Sequence, residues 1–468
     1  MKHLINKVTI FSNFIMGIVL VLSYACQIIE IQSYKIIFMV LVPLTCFYLL
    51  ILFYEHKNNF LIGLFFLCNF VFIYSRLYIS ILKKQSLRGM FFAPYVFSDH
   101  TYYRIIETLN FNIFGIICGI LLYKFYFKKK ILKKRKKSLL KIFIVQKYFI
   151  YLSFFIGLLY CYLSYKISNI VNSFGYISRF NGVAAEYFGT VRSLILFISM
   201  YFFMASVFVL SSTKLTKKKQ TILLIIFIFS AFCQNLSGGR GMTISSIFFA
   251  LWILYFFYDY KLNFSKLFVL GIFLVSLTFY LASRRSIEHV QNFKIVKFEK
   301  IISFLEEQGS SVSLLGYYYD YPTLKVQYKP LIFSFILGGT EKIFCKFTGT
   351  EYNPKRSFYT GERMSSIVNN KLYLSGAGTG GNYLVDMYDL GGNIGVMILS
   401  ATLILFLYYV QDVYKYMSLL KKSFVLYFIY EMFILPRSHY LAIGITGSIF
   451  IIILLALVNI TNRRQKNK

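Results

Sequence analysis

Arginine is the residue of this sequence best placed to do chemistry. A guanidinium is a planar fork that grips a phosphate or a carboxylate through two parallel hydrogen bonds. Arg240 lies in Ser237-Gly238-Gly239-Arg240-Gly241, between the apolar stretches Thr221–Leu236 and Met242–Tyr258. Gly238, Gly239 and Gly241 let the backbone bend tightly and leave amide N–H groups bare. The turn therefore reads as a phosphate-binding candidate; it also reads as a tight connection between two helices with one snorkelling arginine. Arg284, Arg285 and Arg437 lie at the mouths of other apolar stretches, where they could join Arg240 on one anionic ligand.

Carboxylates and amides come next. Glu306-Glu307-Gln308-Gly309-Ser310-Ser311 ends a stretch in which Ile295, Phe298, Ile302 and Leu305 repeat at helical spacing. Glu307 could accept a proton from a sugar hydroxyl, or the stretch could be a solvated helix end with Gly309 as its cap. Asp386 and Asp389 open an apolar helix, where the dipole already favours acids. Gly391, Gly392 and Gly395 follow and would permit close helix contact. His439, beside Arg437 in Pro436-Arg437-Ser438-His439, is a polar turn residue or a site residue. The sequence holds no Asp-X-Asp pair, no phosphate-binding Gly-x4-Gly-Lys loop and no His-Glu-x2-His. No metal site and no cofactor are expected, and any phosphorylated donor would rely on arginines.

The elements that position these groups are membrane helices. The chain has 57% hydrophobic and 20% aromatic residues, with a mean hydropathy of +0.62. Its apolar stretches approach the roughly 20 residues that cross a bilayer. About twelve spans are expected, near 8–29, 34–54, 60–82, 108–127, 146–165, 191–212, 221–237, 242–259, 266–283, 386–410, 423–436 and 440–459. The first is too long for a cleaved signal and should remain as an anchor. The fold class is an all-α polytopic bundle.

Charge sets the orientation. Lys128–Lys141 holds nine Lys or Arg in fourteen residues and belongs on the cytoplasmic side. Alternation then puts both termini inside. Ten of the fourteen arginines face outward: Arg88, Arg104, Arg179, Arg192, Arg240, Arg284, Arg285, Arg356, Arg363 and Arg437. Arg76 lies within a span. Lysine shows the opposite bias, so the outward surplus of the forked cation suggests a shared anionic ligand as well as outer-leaflet headgroups. The net charge of +33 is accounted for by topology and anionic lipids; nucleic acid is not an expected partner. Six of the seven cysteines lie in spans, which implies no disulfide framework.

The outward side also carries a long loop, residues 284–385, between spans nine and ten, and connections of that size are usually functional. Pro330–Phe347 within it, broken by Gly338-Gly339, could be re-entrant. The chain reads as one membrane domain, residues 1–468, containing that loop.

This pattern resembles the Wzy-type O-antigen and capsular polysaccharide repeat-unit polymerases. The resemblance rests on Ser237–Gly241, on Glu307-Gln308-Gly309-Ser310, and on Asn382-Tyr383-Leu384 running through Gly392 and Gly395. It implies a glycosyltransferase C-like membrane fold. It implies polymerisation of undecaprenyl-pyrophosphate-linked oligosaccharide repeat units at the outer face of the bacterial cytoplasmic membrane. Arg240, Arg284 and Arg437 would then clamp pyrophosphate, with Arg285 beside them. Glu307 would be the base, Gln308 and Asn382 would orient sugars, and Asp386 and His439 would be secondary. A flippase and a chain-length regulator are candidate partners. O-antigen ligases carry His-Asn where this chain has Gly381-Asn382, which disfavours the ligase alternative. A flippase, the other alternative, would have short loops throughout.

Overall fold

The computed structural model describes residues 31–55, 59–89, 95–127, 146–174, 183–213, 215–236, 240–260, 298–324, 345, 348–357, 360–374, 378–438 and 445–466. The expected spans near 8–29 and 266–283 lie outside the described residues, as do most of Pro330–Phe347 and all of Lys128–Lys141. Among the described residues the chain is helical, with no strand and one isolated bridge, Arg88 to Val96. Among the described residues six helices are long and apolar enough to cross a membrane: Asn59–Leu82, Asp99–Phe127, Phe149–Phe174, Thr190–Ser211, Gly241–Tyr258 and Tyr383–Tyr416.

The helices used below are α1 (Ile31–Glu55), α2 (Asn59–Leu82), α3 (Asp99–Phe127), α4 (Gln146–Phe174), α5 (Val183–Phe188), α6 (Thr190–Ser211), α7 (Lys217–Asn235), α8 (Arg240–Tyr258), α9 (Phe298–Gln308), α10 (Ser313–Asp320), α11 (Thr360–Val368), α12 (Asn370–Leu374), α13 (Tyr383–Val413), α14 (Leu419–Met432) and α15 (Ile445–Lys466). Hydroxyl caps start several of them. Ser98 accepts from the Thr101 amide at the head of α3, and Thr216 and Ser418 do the same for α7 and α14.

Two packing centres build the bundle. In one, Phe208, Phe227, Phe249 and Tyr430 meet edge to face or tilted, joining α6, α7, α8 and α14. In the other, α3 and the long part of α13 run parallel in close contact. A side chain at Gly115 would strike the Met397 carbonyl, and a Cβ at Gly119 would stand 2.7 Å from the Ala401 carbonyl. Glycines four apart let two membrane helices touch backbone to backbone. Below them Tyr123 stacks on Tyr408, with ring centroids 4.2 Å apart.

The glycines of α13 do something other than mediate contact between helices. Gly391 (φ −169°, ψ 26°) and Gly392 (φ 60°, ψ −152°) interrupt the helix. A Cβ at Gly395 would lie 2.9 Å from the Met387 carbonyl. Residues eight apart on a continuous helix are about 12 Å apart, so the chain folds back on itself at the Gly391-Gly392 pair. The expected single span is therefore a short limb, residues 383–390, followed by a long one, residues 393–413. Hydropathy hides such a break because Leu390 and Ile394 keep both sides apolar.

Candidate functional site

The site forms where the short limb of α13 begins. The stretch Gly378–Asn382 leads into it, and Asn382 caps it, its Oδ1 accepting from the Leu384 amide at 3.0 Å. Asn382 also donates through Nδ2 to the Ser311 carbonyl at 2.8 Å. One residue earlier, the Gly381 amide donates to the Arg437 carbonyl at 3.3 Å. Arg437 in turn donates from Nη1 to Gln308 Oε1 at 3.2 Å. Gln308 and Ser311 stand three residues apart where α9 passes into the short 3-10 turn Gly309–Val312. Three distant segments thus close into one hydrogen-bonded circuit: 308–311, 381–382 and 437.

Close backbone approach makes the circuit possible. A Cβ at Gly381 would sit 2.8 Å from the Ser438 carbonyl carbon and 3.0 Å from its oxygen. Gly380 has φ +75°, the left-handed region that favours glycine. Beneath, the Arg437 guanidinium lies 5.5 Å from the centre of the Phe72 ring, a cation over an aromatic face. Phe72 belongs to a π turn, Phe70–Tyr74, within α2; such turns put an extra residue into a helix and recur at functional sites.

Gly309 is not a helix cap. Helical backbone continues through Gln308 and Ser313 on either side of the 3-10 turn. What requires glycine is proximity, because a Cβ there would lie 2.6 Å from Arg76 Cβ and 2.7 Å from the Arg76 nitrogen. Around this contact Ser75 Oγ donates to the Leu305 carbonyl at 2.7 Å, and Arg76 donates to the carbonyls of Glu306 and Arg88 at 3.3 and 2.8 Å. Arg76 therefore binds α9 to the α2 span. It did not figure among the expected site residues, although a lone arginine inside a span is itself a signal.

The other expected residues distribute as follows. Glu307 is exposed at the end of α9, next to the buried Gln308, while Glu306 pairs with Lys83 at 3.0 Å. Gly241, on the first turn of α8, packs on Ile434, where a Cβ on the glycine would lie 2.7 Å from Ile434 Cδ1. The Ile434 carbonyl accepts from the Arg437 amide at 2.8 Å. The backbone of Arg240 and Gly241 is thereby brought to the segment that carries Arg437. Gly238, Gly239, Arg284, Arg285 and His439 lie outside the described residues.

Asp386 accepts from Thr360 Oγ1, and one turn on Asp389 pairs with Arg363 at 3.6 Å and accepts from Tyr318. These two rungs fasten α11 along the short limb. Burial pushes the Tyr318 phenol up, and the Asp389 carboxylate adds to it, so this hydroxyl remains the donor. Among the described residues no group of three or more His, Cys, Asp or Glu could hold a metal ion.

Neither a curated protein nor a solved structure matches the chain. The model of the family described as O-antigen polysaccharide polymerase Wzy matches residues 6–468, essentially the whole length. This membrane protein belongs to the O-antigen polysaccharide polymerase Wzy family.

Proposed function

We propose that the chain transfers a growing glycan from undecaprenyl pyrophosphate onto a second lipid-linked repeat unit, at the outer face of the bacterial cytoplasmic membrane. Family membership implies polymerisation by glycosyl transfer. In the step envisaged, an acceptor hydroxyl oxygen bonds to the donor's anomeric carbon. The bond from that carbon to the pyrophosphate oxygen breaks, the pyrophosphate leaves with the electron pair, and the acceptor proton passes to a base.

The circuit around Arg437 carries this reading. A guanidinium fixed by Gln308 and backed by Phe72 is set in advance for the negative charge that develops on a leaving phosphate. Arg240, whose backbone reaches the same segment, is a second clamp, and Arg284 and Arg285 in the long loop are further ones. Glu307, exposed beside Gln308, is the base. Asn382 acts by holding its segment, since its amide is engaged with Ser311 and Leu384, and Asp386 steadies the limb behind it.

The topology also fits. Spans α3 and α13 run parallel, as they must if both descend from the outer face in a bundle of twelve spans with cytoplasmic termini. The crowded Gly381 disfavours a ligase-type histidine at that position. The test is Arg240→Lys and Arg437→Lys, which keep the charge and remove the fork. Shorter and scarcer polymer supports the clamp; unchanged polymer length and amount would remove it.

A further inference from the structure

Behind the circuit, inside the bundle, lies a second set of polar side chains that the site itself does not contain. Asn69, Asn112, Tyr74, Tyr383 and Ser400 are all buried to within 1% of complete exclusion from solvent. Tyr383 Oη donates to Asn69 Oδ1 at 2.7 Å and accepts from Asn112 Nδ2 at 3.1 Å. Asn112 Nδ2 also donates to Ser400 Oγ at 2.7 Å, and its Oδ1 accepts from Tyr74. Asn69 completes its bonding by donating to the Phe65 carbonyl at 3.0 Å.

The network therefore spans α2, α3 and both limbs of α13. The π turn contributes: Asn69 and Tyr74 are five residues apart, about 140° apart around a regular α-helix. The extra residue of the turn, closed by Ser75 N–H to the Phe70 carbonyl, lets Asn69 meet Tyr383 and Tyr74 meet Asn112, two side chains that are themselves hydrogen-bonded. Five polar side chains within apolar helices would be costly if unpaired. Here each has a partner, and the pattern ties the short limb to α2 and α3.

That seating matters because Tyr383 directly follows Asn382 and Gly381, two members of the Arg437 circuit. We propose that Tyr383 is a positioning residue for glycosyl transfer, acting through Asn382 and Gly381 on the Arg437 guanidinium. It touches no reacting atom; its hydroxyl fixes the depth at which the limb begins. The proposal rests on the function proposed above for the site.

The test uses the full-length protein in lipid nanodiscs with defined lipid-pyrophosphate-linked repeat units. Tyr383→Phe is expected to lower kcat about tenfold, the scale of one buried hydrogen bond, with KM for the donor unchanged. In the double variant with Asn382→Ala, kcat should be no lower than in Asn382→Ala alone, because both act along one path. Tyr123→Phe is the control. It also removes a buried span hydroxyl, one with no hydrogen-bond partner among the described residues, and should leave kcat unchanged.

Hydrogen exchange over residues 378–386 supplies a readout that does not depend on activity. Tyr383→Phe should raise exchange there. If Tyr383→Phe proves too unstable to purify, Ser400→Ala should produce the same pattern to a smaller degree. Unchanged exchange in that segment overturns the proposal, and so does a kcat loss that multiplies with that of Asn382→Ala. A wild-type protein that makes no polymer, yet shows the exchange change on substitution, overturns the proposed function instead.

Discussion

Arg437 and Gln308, 129 residues apart in sequence, meet through a hydrogen bond of 3.2 Å from the guanidinium to the amide oxygen. The bond joins the turn after α14 to the end of α9, and Gln308 is 2% exposed. A buried amide oxygen at one corner of the fork sets the plane of the guanidinium.

Removing that oxygen should disorient the arginine without removing its charge. Gln308→Leu is expected to reduce polymer synthesis by roughly ten- to a hundredfold, the range for a hydrogen bond to a charged group. Arg437→Lys, which loses both fork and partner, should reduce it further. Initial rates with lipid-linked repeat units, normalised to folded protein, check the order.

Gly381 should tolerate no side chain. Its Cβ would lie 2.8 Å from Ser438 backbone, and neither segment of this contact can yield like the end of a flexible side chain. Gly381→Ala is expected to abolish most polymer formation. Gly378→Ala, whose nearest neighbour would be 3.5 Å away, should retain it. Polymer ladders from the two variants, at matched membrane levels, give the comparison.

The helix break makes a similar pair. Gly392 lies at φ 60°, ψ −152°, a region held almost wholly by glycine. Gly392→Ala should destabilise the protein by about 1–3 kcal/mol. Gly391 at φ −169° lies outside the left-handed region, and a Cβ there meets nothing within 4 Å. Gly391→Ala should therefore unfold at the wild-type temperature, as measured by thermal denaturation of the detergent-purified protein.

The α3–α13 seam predicts a folding defect. Gly119→Leu would force apart helices whose backbones are in contact at Ala401. Overpacking of this kind typically costs about 1–3 kcal/mol, occasionally more, and the expected outcome is loss of monodisperse protein on size exclusion. A variant that purifies normally and polymerises at the wild-type rate would show that the seam can open.

The sequence already pointed to the residues that meet at Arg437. Arg437 is marked by its place at the mouth of an apolar stretch, whereas Gln308 and Asn382 are marked only by the family resemblance. Their convergence was not legible, since it depends on Gly381 and Gly241 packing against segments far away in the chain. The fold-back of α13 was hidden for a different reason. Glycines in an apolar helix fit either close helix contact or a break, and composition is the same for both. The contact role belongs instead to Gly115 and Gly119, inconspicuous within a continuous apolar run. The buried network was missed because Asn69 and Asn112, taken singly, interrupt their spans too weakly to be noticed.

On the proposed function, this chain alone joins lipid-pyrophosphate-linked repeat units through the site around Arg437. The direct measurement is incubation of the purified protein, in a defined bilayer, with purified repeat units as the sole substrate. A ladder of products that rises by one repeat unit per step, and collapses in Arg437→Lys, is the predicted result. A single addition to a different acceptor, or movement of lipid across the bilayer with no new glycosidic bond, would contradict it.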